Sequence, residues 1–167
     1  VHKYGNTDTV DLWSSLEHIS GKPVKAFMHQ WTSQSGFPLL SATIHTNRVE
    51  LTQERFLLNQ EHSVTDQTLW PIPLLSKTSD LPELFDHKST SLPISSSTLT
   101  KFNLGQCGFY RTVYDASHLE RLAGAVHGGT LTPLDRIGVL SDMFEAAKAG
   151  KASTVDVLHL LESYADE

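Results

Sequence analysis

Apolar positions along the chain change their spacing twice. Up to about Gly36 the spacing is helical. Val10, Leu12, Trp13, Leu16 and Ile19 share one face after Thr7 or Asp8, either of which suits an N-cap, and Ser20-Gly21 closes that helix. Pro23 stands near a helix start, where its missing N–H is not needed, and Val24, Phe27, Met28 and Trp31 recur at i, i+3, i+4 and i+7. The pattern predicts that this helix runs to Gly36 as its C′ residue, with Pro38 preventing continuation.

From Phe37 to Asp115 the spacing is two. Leu40, Ala42 and Ile44 alternate with Ser41 and Thr43, Asn47-Arg48 makes a turn, and Val49, Leu51 and Gln53 return. Leu69 to Leu74 also alternates, but Pro71 and Pro73 mark an edge or bulged strand. Residues 76–100, rich in Ser, Thr, Pro and Asp, read as short strands and long turns, and Phe109 to Tyr114 as a final strand. Short strands without intervening helices predict an antiparallel sandwich. From Asp115 onward the spacing is helical again. Leu119, Leu122, Ala123 and Val126 form one apolar face. Ile137, Leu140, Phe144 and Ala147 form a second, after a Thr132-Pro133 start. Val157, Leu158, Leu161 and Tyr164 form a third, after Ser153. Three such helices cannot cover all their own apolar faces, so they read as the opening of a longer helical array.

Composition narrows the function classes. A net charge of −6, from 13 basic and 19 acidic side chains, argues against a nucleic-acid footprint, which needs a clustered basic face. No apolar run is long enough to span a bilayer. A lone cysteine, Cys107, cannot form an internal disulfide, and no Asn-x-Ser/Thr acceptor occurs, which together point to the cytoplasm.

Candidate chemistry is sparse. The histidines are never four residues apart, so a helical His-Glu-x-x-His zinc pair is excluded. His159 and Glu162 read as a solvated helix face. His18, His29, His45, His62, His87, His118 and His127 read as surface or boundary residues, and Cys107 as a buried or half-buried structural thiol. No nucleophile elbow or phosphate loop is present, and Leu104 to Gly108 reads as a hairpin-like turn. Trp13 and Trp31 lie on apolar helical faces, and Trp70 and Tyr110 on strands, where aromatics serve a core or a domain contact. Arg111, within a strand, and Asp135-Arg136, at a helix start, are charges among apolar residues. They predict that Arg111 or Arg136 makes a salt bridge where strands meet helices.

The strings themselves carry a resemblance. Asp11-Leu12-Trp13, Ser20-Gly21-Lys22-Pro23-Val24 and Met28-x-x-Trp31-x-x-Gln34-x-Gly36-Phe37-Pro38 occur in order with Leu51 to Phe56 and Leu69-Trp70-Pro71-Ile72-Pro73-Leu74. Asn103-x-Gly105-x-x-Gly108-Phe109-Tyr110-Arg111-Thr112-Val113-Tyr114 and Asp135-Arg136 follow, with Phe109 where the pattern has Tyr. Together they resemble the zinc aminopeptidases of the aminopeptidase N and puromycin-sensitive type.

The resemblance implies a multidomain fragment, α then all-β then α. Residues 1–36 are the terminal helices of a thermolysin-like catalytic domain, 37–115 an immunoglobulin-like antiparallel β-sandwich, and 116–167 the first helices of a C-terminal α-helical domain. It implies that zinc and the catalytic groups sit in the parent enzyme, which removes N-terminal residues from peptides, and that this fragment binds no cofactor. Its partners are then the remainder of the same polypeptide. Trp13, Trp31, Trp70, Asn103, Gly108, Tyr110, Arg111, Asp135 and Arg136 are the structural and interdomain candidates. Two other readings remain open: a non-catalytic scaffold relative, and a free-standing sandwich that binds sugar or peptide through exposed rings at Trp70 or Tyr110.

Overall fold

The computed structural model describes residues 4–59, 66–78, 80–95 and 99–165. The chain divides into two compact units, Val1–Ser35 and Gly36–Glu167.

In the first unit, α1 (Thr9–Ser20) begins with a capping box. The Asp8 carboxylate accepts from the Asp11 N–H, and Asp11 accepts from the Asp8 N–H, both at 3.1 Å. Gly21, in the left-handed region at φ 66°, ends the helix. Helix α2 (Val24–Thr32) stops short of the predicted Gly36. The side chains of Thr32, Ser33 and Gln34 bond back to the carbonyls of Met28, His29 and Gln30, at 2.8, 2.6 and 2.8 Å. Side chains of this kind compete with the backbone for the last carbonyls and favour a helix end. Gly36 instead serves the approach to the first strand, at φ 88°. Trp13 and Trp31 are half-buried, and no residue of α1 or α2 is fully buried.

The second unit is a mixed sheet with helices on one face and a smaller sheet as a separate element. The strands are β1 (Pro38–Ile44), β2 (Arg48–Arg55), β3 (Ile72–Pro73), β4 (Leu84–Phe85), β5 (Ser89–Pro93) and β6 (Arg111–Tyr114). The larger sheet has the order β5-β2-β1-β6, and β3 pairs only with β4. Ile44 faces Val49, Ala42 faces Leu51 and Leu40 faces Gln53, so the alternation of both strands falls in one register. The expectation of a wholly antiparallel sheet is corrected at one pairing: β6 runs parallel to β1. The reason is topological. β5 and β6 lie on opposite edges, so the chain between them crosses over rather than turning back as a hairpin.

The helices are α3 (Ala116–His127), α4 (Pro133–Lys148) and α5 (Thr154–Glu162), capped by Asp115, Thr132 and Ser153. Leu39 and Val113 of the sheet share one core with Leu119, Val139, Met143, Ala146, Val157 and Leu160. The opposite face of the sheet carries Leu40, Ala42, Val49 and Leu51, also buried.

Two helix faces differ from the sequence reading. On α4 the buried positions are Asp135, Gly138, Val139, Asp142, Met143 and Ala146, while Ile137 and Phe144 are exposed. On α5 the buried positions are Val157 and Leu160, and Leu158 is exposed. Counting apolar residues alone misplaced the α4 stripe, because two carboxylates lie on the inward side.

Candidate functional site

The loop before β6 is built around Asn103. Its φ of 54° lies in the left-handed region, which Asn tolerates better than most residues. Its side-chain amide donates to the carbonyls of Gly108 and Tyr110, at 3.0 and 3.3 Å, and its carbonyl accepts from the Gly108 N–H at 2.7 Å. The predicted hairpin-like turn is thus a single 3-10 turn, Leu104–Gln106, closed by a side chain. Gly108 has no room for a Cβ, which would lie 2.4 Å from Cε1 of Tyr110. Tyr110 is buried, and its hydroxyl donates to the carbonyls of Pro73 and Leu74, at 2.8 and 3.1 Å. Burial pushes its phenol far above the ordinary range.

This loop meets the start of α4 through a buried ion pair. Lys101 Nζ lies 3.0 Å from Asp135 Oδ1, with both side chains almost wholly enclosed. Lys101 also donates to the carbonyls of Phe102 and Asn103, at 2.9 and 3.2 Å. Asp135 accepts from the Gly105 N–H at 2.8 Å and from the Thr132 hydroxyl at 2.7 Å. Burial opposes its ionisation, but Thr132, the Gly105 amide and Lys101 together hold the carboxyl below the usual range.

Two turns further along α4, Asp142 reaches β6. Its Oδ1 lies 3.0 Å from Arg111 Nη1, and its Oδ2 accepts from the Thr112 N–H at 2.9 Å. Here burial dominates and pushes the carboxyl up to about 6, against the Thr112 amide and Arg111. The Arg111 guanidinium also lies over the rings of Phe37 and Phe56, at 5.9 and 5.6 Å. A third pair, Lys151 with Glu54 of β2 at 2.9 Å, joins the segment after α4 to the sheet.

The structure therefore brings Asn103, Gly108, Tyr110, Arg111 and Asp135 into one joint. Arg136, next to Asp135, accepts through its backbone carbonyl from the Tyr164 hydroxyl at 2.7 Å. Burial raises the Tyr164 phenol to about 12. Trp70 is fully buried, and its backbone N–H and carbonyl are both held by the Gln53 side chain, at 2.9 and 3.0 Å. With Trp70 and Tyr110 both inside, the exposed aromatic row required by a sugar- or peptide-stacking surface is not formed at those residues. Trp13 and Trp31 belong to the first unit.

Lys101, Asp142, Gly138 and Gln106 escaped the sequence reading. Lys101 carried only a weak signal, a charge between Thr100 and Phe102. Asp142 carried another, since it repeats the face of Asp135. Gly138 lets Gln106 lie against the helix: a Cβ there would meet Gln106 Nε2 at 1.8 Å.

Two other expectations are corrected. Cys107 is exposed, because the amide of Asn103 fills the inside of the loop. His118 is buried, with its Nε2–H donating to the Thr100 carbonyl at 2.6 Å and its ring 5.4 Å from that of Tyr114. Burial lowers its pKa below the ordinary imidazole value. His62 lies outside the described residues. His159 and Glu162 are exposed on α5. Among the described residues no three His, Cys, Asp or Glu side chains gather so as to hold a metal ion. No helix among them is long and apolar enough to cross a membrane.

A mixed sheet runs straight into a helical layer, with charged groups turned inward at the junction. Residues 99–167 match the family model described as the ERAP1-like C-terminal domain. The chain is 36% identical to Aminopeptidase M1-A of Oryza sativa, in an alignment covering 98% of this chain and 20% of that protein. It is 33% identical to Tricorn protease-interacting factor F2 of Thermoplasma acidophilum, over 99% of this chain and 20% of that protein. It is likewise 33% identical to the alanine/arginine aminopeptidase of Saccharomyces cerevisiae, over 99% of this chain and 20% of that protein. The chain belongs to the M1 aminopeptidase family and spans about one fifth of the length of these relatives.

Proposed function

We propose that this chain is the joining region of a zinc-dependent aminopeptidase that removes N-terminal residues from peptides, and that it is itself non-catalytic. The observation that carries this reading is the use of its charged groups. Lys101, Arg111, Asp135 and Asp142 are spent on holding α4 against β6 and the preceding loop. Such a joint fixes the direction in which a helical domain leaves a sheet, and so positions that domain over a catalytic centre carried elsewhere. In a multidomain enzyme that placement governs substrate access through domain closure.

In this reading residues 1–36 end the catalytic domain, 37–115 form an immunoglobulin-like β-sandwich, and 116–167 open the C-terminal helical domain. The buried Gln53, which bonds to Trp70 and to the carbonyl of His87 at 3.0 Å, supports two sheets packed face to face. Zinc belongs to the parent's catalytic domain. The lone cysteine and the lack of a glycosylation acceptor support a cytoplasmic setting. The test is direct. The 167-residue chain, verified as folded by circular dichroism, is expected to hydrolyse no aminoacyl-coumarin substrate and to carry no stoichiometric zinc. Stoichiometric zinc together with hydrolysis would overturn the reading.

A further inference from the structure

Thr100, Lys101, Phe102 and Asn103 are consecutive buried residues outside any helix or strand. This strap leads into β6 and carries three parts of the joint. Lys101 reaches Asp135 at the start of α4, at 3.0 Å. The Phe102 N–H donates to the Tyr114 hydroxyl at 2.9 Å. The Asn103 N–H donates to the Leu74 carbonyl at 3.2 Å, and its side chain closes the loop that follows. At the first residue of the strap the hold comes from α3: His118 Nε2 lies 2.6 Å from the Thr100 carbonyl.

His118 is wholly enclosed. A carbonyl oxygen only accepts, so Nε2 carries the ring proton and Nδ1 is the bare nitrogen. Nδ1 is buried and has no hydrogen-bond partner among the described residues. A second proton there creates a buried donor and a buried charge with nothing to receive either. The groups around the ring do not change this. Tyr114 presents its ring at 5.4 Å. Arg121, three residues on along α3, repels a charged imidazole. Asp115, the N-cap of α3, attracts one, but its oxygens already accept from the Ile44 and His118 N–H groups and the Ser117 hydroxyl. Lys101 directs its ammonium to Asp135.

We propose that His118 is an acid-sensitive latch on the strap, and that proton uptake at Nδ1 releases Thr100 and loosens the joint between β6 and α4. A ring protonated at Nδ1 has to swing out to hydrate the new N–H, and in leaving it gives up the Thr100 carbonyl. The strap then opens, and Lys101 with it, so the anchor at the start of α4 is lost. Burial, the largest influence on the ring, holds its native pKa below the ordinary 6.5. The contribution of the latch is therefore fully present above that value and is lost as pH falls through it towards the lowered native one. Asp142 acts in the opposite sense over part of this window, so the latch is isolated by local opening of the strap rather than by total unfolding. The device belongs to the fold of these residues and is independent of the parent's catalytic activity.

The test is hydrogen exchange read by mass spectrometry on the full-length polypeptide that carries these residues. Rates at about pH 7.5 and about pH 5.5 are corrected for the intrinsic pH dependence of amide exchange. A peptide spanning residues 100–104 is compared with one from β2. Opening exposes a ring that takes a proton at the ordinary value, so strap opening should rise about tenfold between the two conditions, and β2 by less than about twofold. His118→Gln keeps an N–H for the Thr100 carbonyl but does not titrate, and should cut the rise in the strap to less than about twofold. A tenfold rise that persists in the Gln variant would overturn the proposal. So would a strap that, in the unsubstituted protein, does not rise or rises no more than β2, a comparison that holds if the variant fails to fold.

Discussion

The first turn and the middle of α4 solve one problem in opposite ways. At its start Asp135 is enclosed beside Lys101, the Gly105 amide and the Thr132 hydroxyl, and its carboxyl is held below the ordinary range. Two turns on, Asp142 is enclosed as well, but with Arg111 and the Thr112 amide for company its carboxyl rises to about 6. The difference lies in burial, which at Asp142 outweighs the partners and at Asp135 does not. Arg111 divides its guanidinium between Asp142 and the rings of Phe37 and Phe56, and is a quarter exposed. Lys101 has only oxygen atoms around its ammonium among its recorded partners. A buried carboxylate is firmly ionised only when its donors are both close and committed.

The largest effect is expected from Asp135→Ala. It strands the Lys101 charge, frees the Gly105 N–H and removes half of the α4 cap, costing about 3–5 kcal/mol in chemical denaturation. Arg111→Met is expected to cost less, about 1–3 kcal/mol near neutral pH, because Asp142 can escape by taking a proton. That cost should shrink towards about pH 5, where the carboxyl is already mostly protonated in the native state. If both variants lost equal stability, the contrast between the two carboxylates would collapse. Gly108→Ala tests the loop that positions both pairs. The added methyl meets the rigid, buried Tyr110 ring, for about 1–3 kcal/mol.

The pH dependence sharpens the comparison. Asp142 has a native pKa of about 6 against an ordinary value of 3.8, so the folded chain holds the extra proton between those limits. Its contribution to stability is therefore fully present below the unfolded value and is lost as pH rises through about 6. Asp135 acts in the reverse sense: its contribution is present above 3.8 and is lost as pH falls through its lowered native value. Asp142→Asn should flatten the slope of unfolding free energy between about pH 4 and 6 and leave the acid limb intact. The smallest effect belongs to the surface. Lys148→Ala breaks the exposed pair with Glu145 and should leave the denaturation midpoint essentially unchanged.

What the sequence made legible was local. The caps at Asp8, Thr132 and Ser153 and the register of β1 on β2 depend on residues close along the chain, and their signals lie within one or two turns. Arg111 and Asp135 stood out as charges among apolar residues, and Asn103 and Gly108 through the motif that carries the family resemblance. The parallel placement of β6 and the inward face of α4 were not legible, since both depend on contacts across the fold. Gly105 reaches Asp135 and Arg111 reaches Asp142 over about thirty residues. The apolar count on α4 pointed to Ile137 and Phe144, and the carboxylates turned the other side inward. Lys101 was missed because it stands between Thr100 and Phe102 after a Ser/Thr-rich stretch, not within an apolar run.

The joint itself is tested most directly by a carbon-13 NMR titration of the side-chain carboxyls. Asp142 is expected to titrate at about 6 and Asp135 below the ordinary 3.8, on the same helix and in the same sample. If both titrated together at the ordinary carboxylate value, neither would be enclosed at the junction, and the account of α4 as anchored through its two carboxylates would be contradicted.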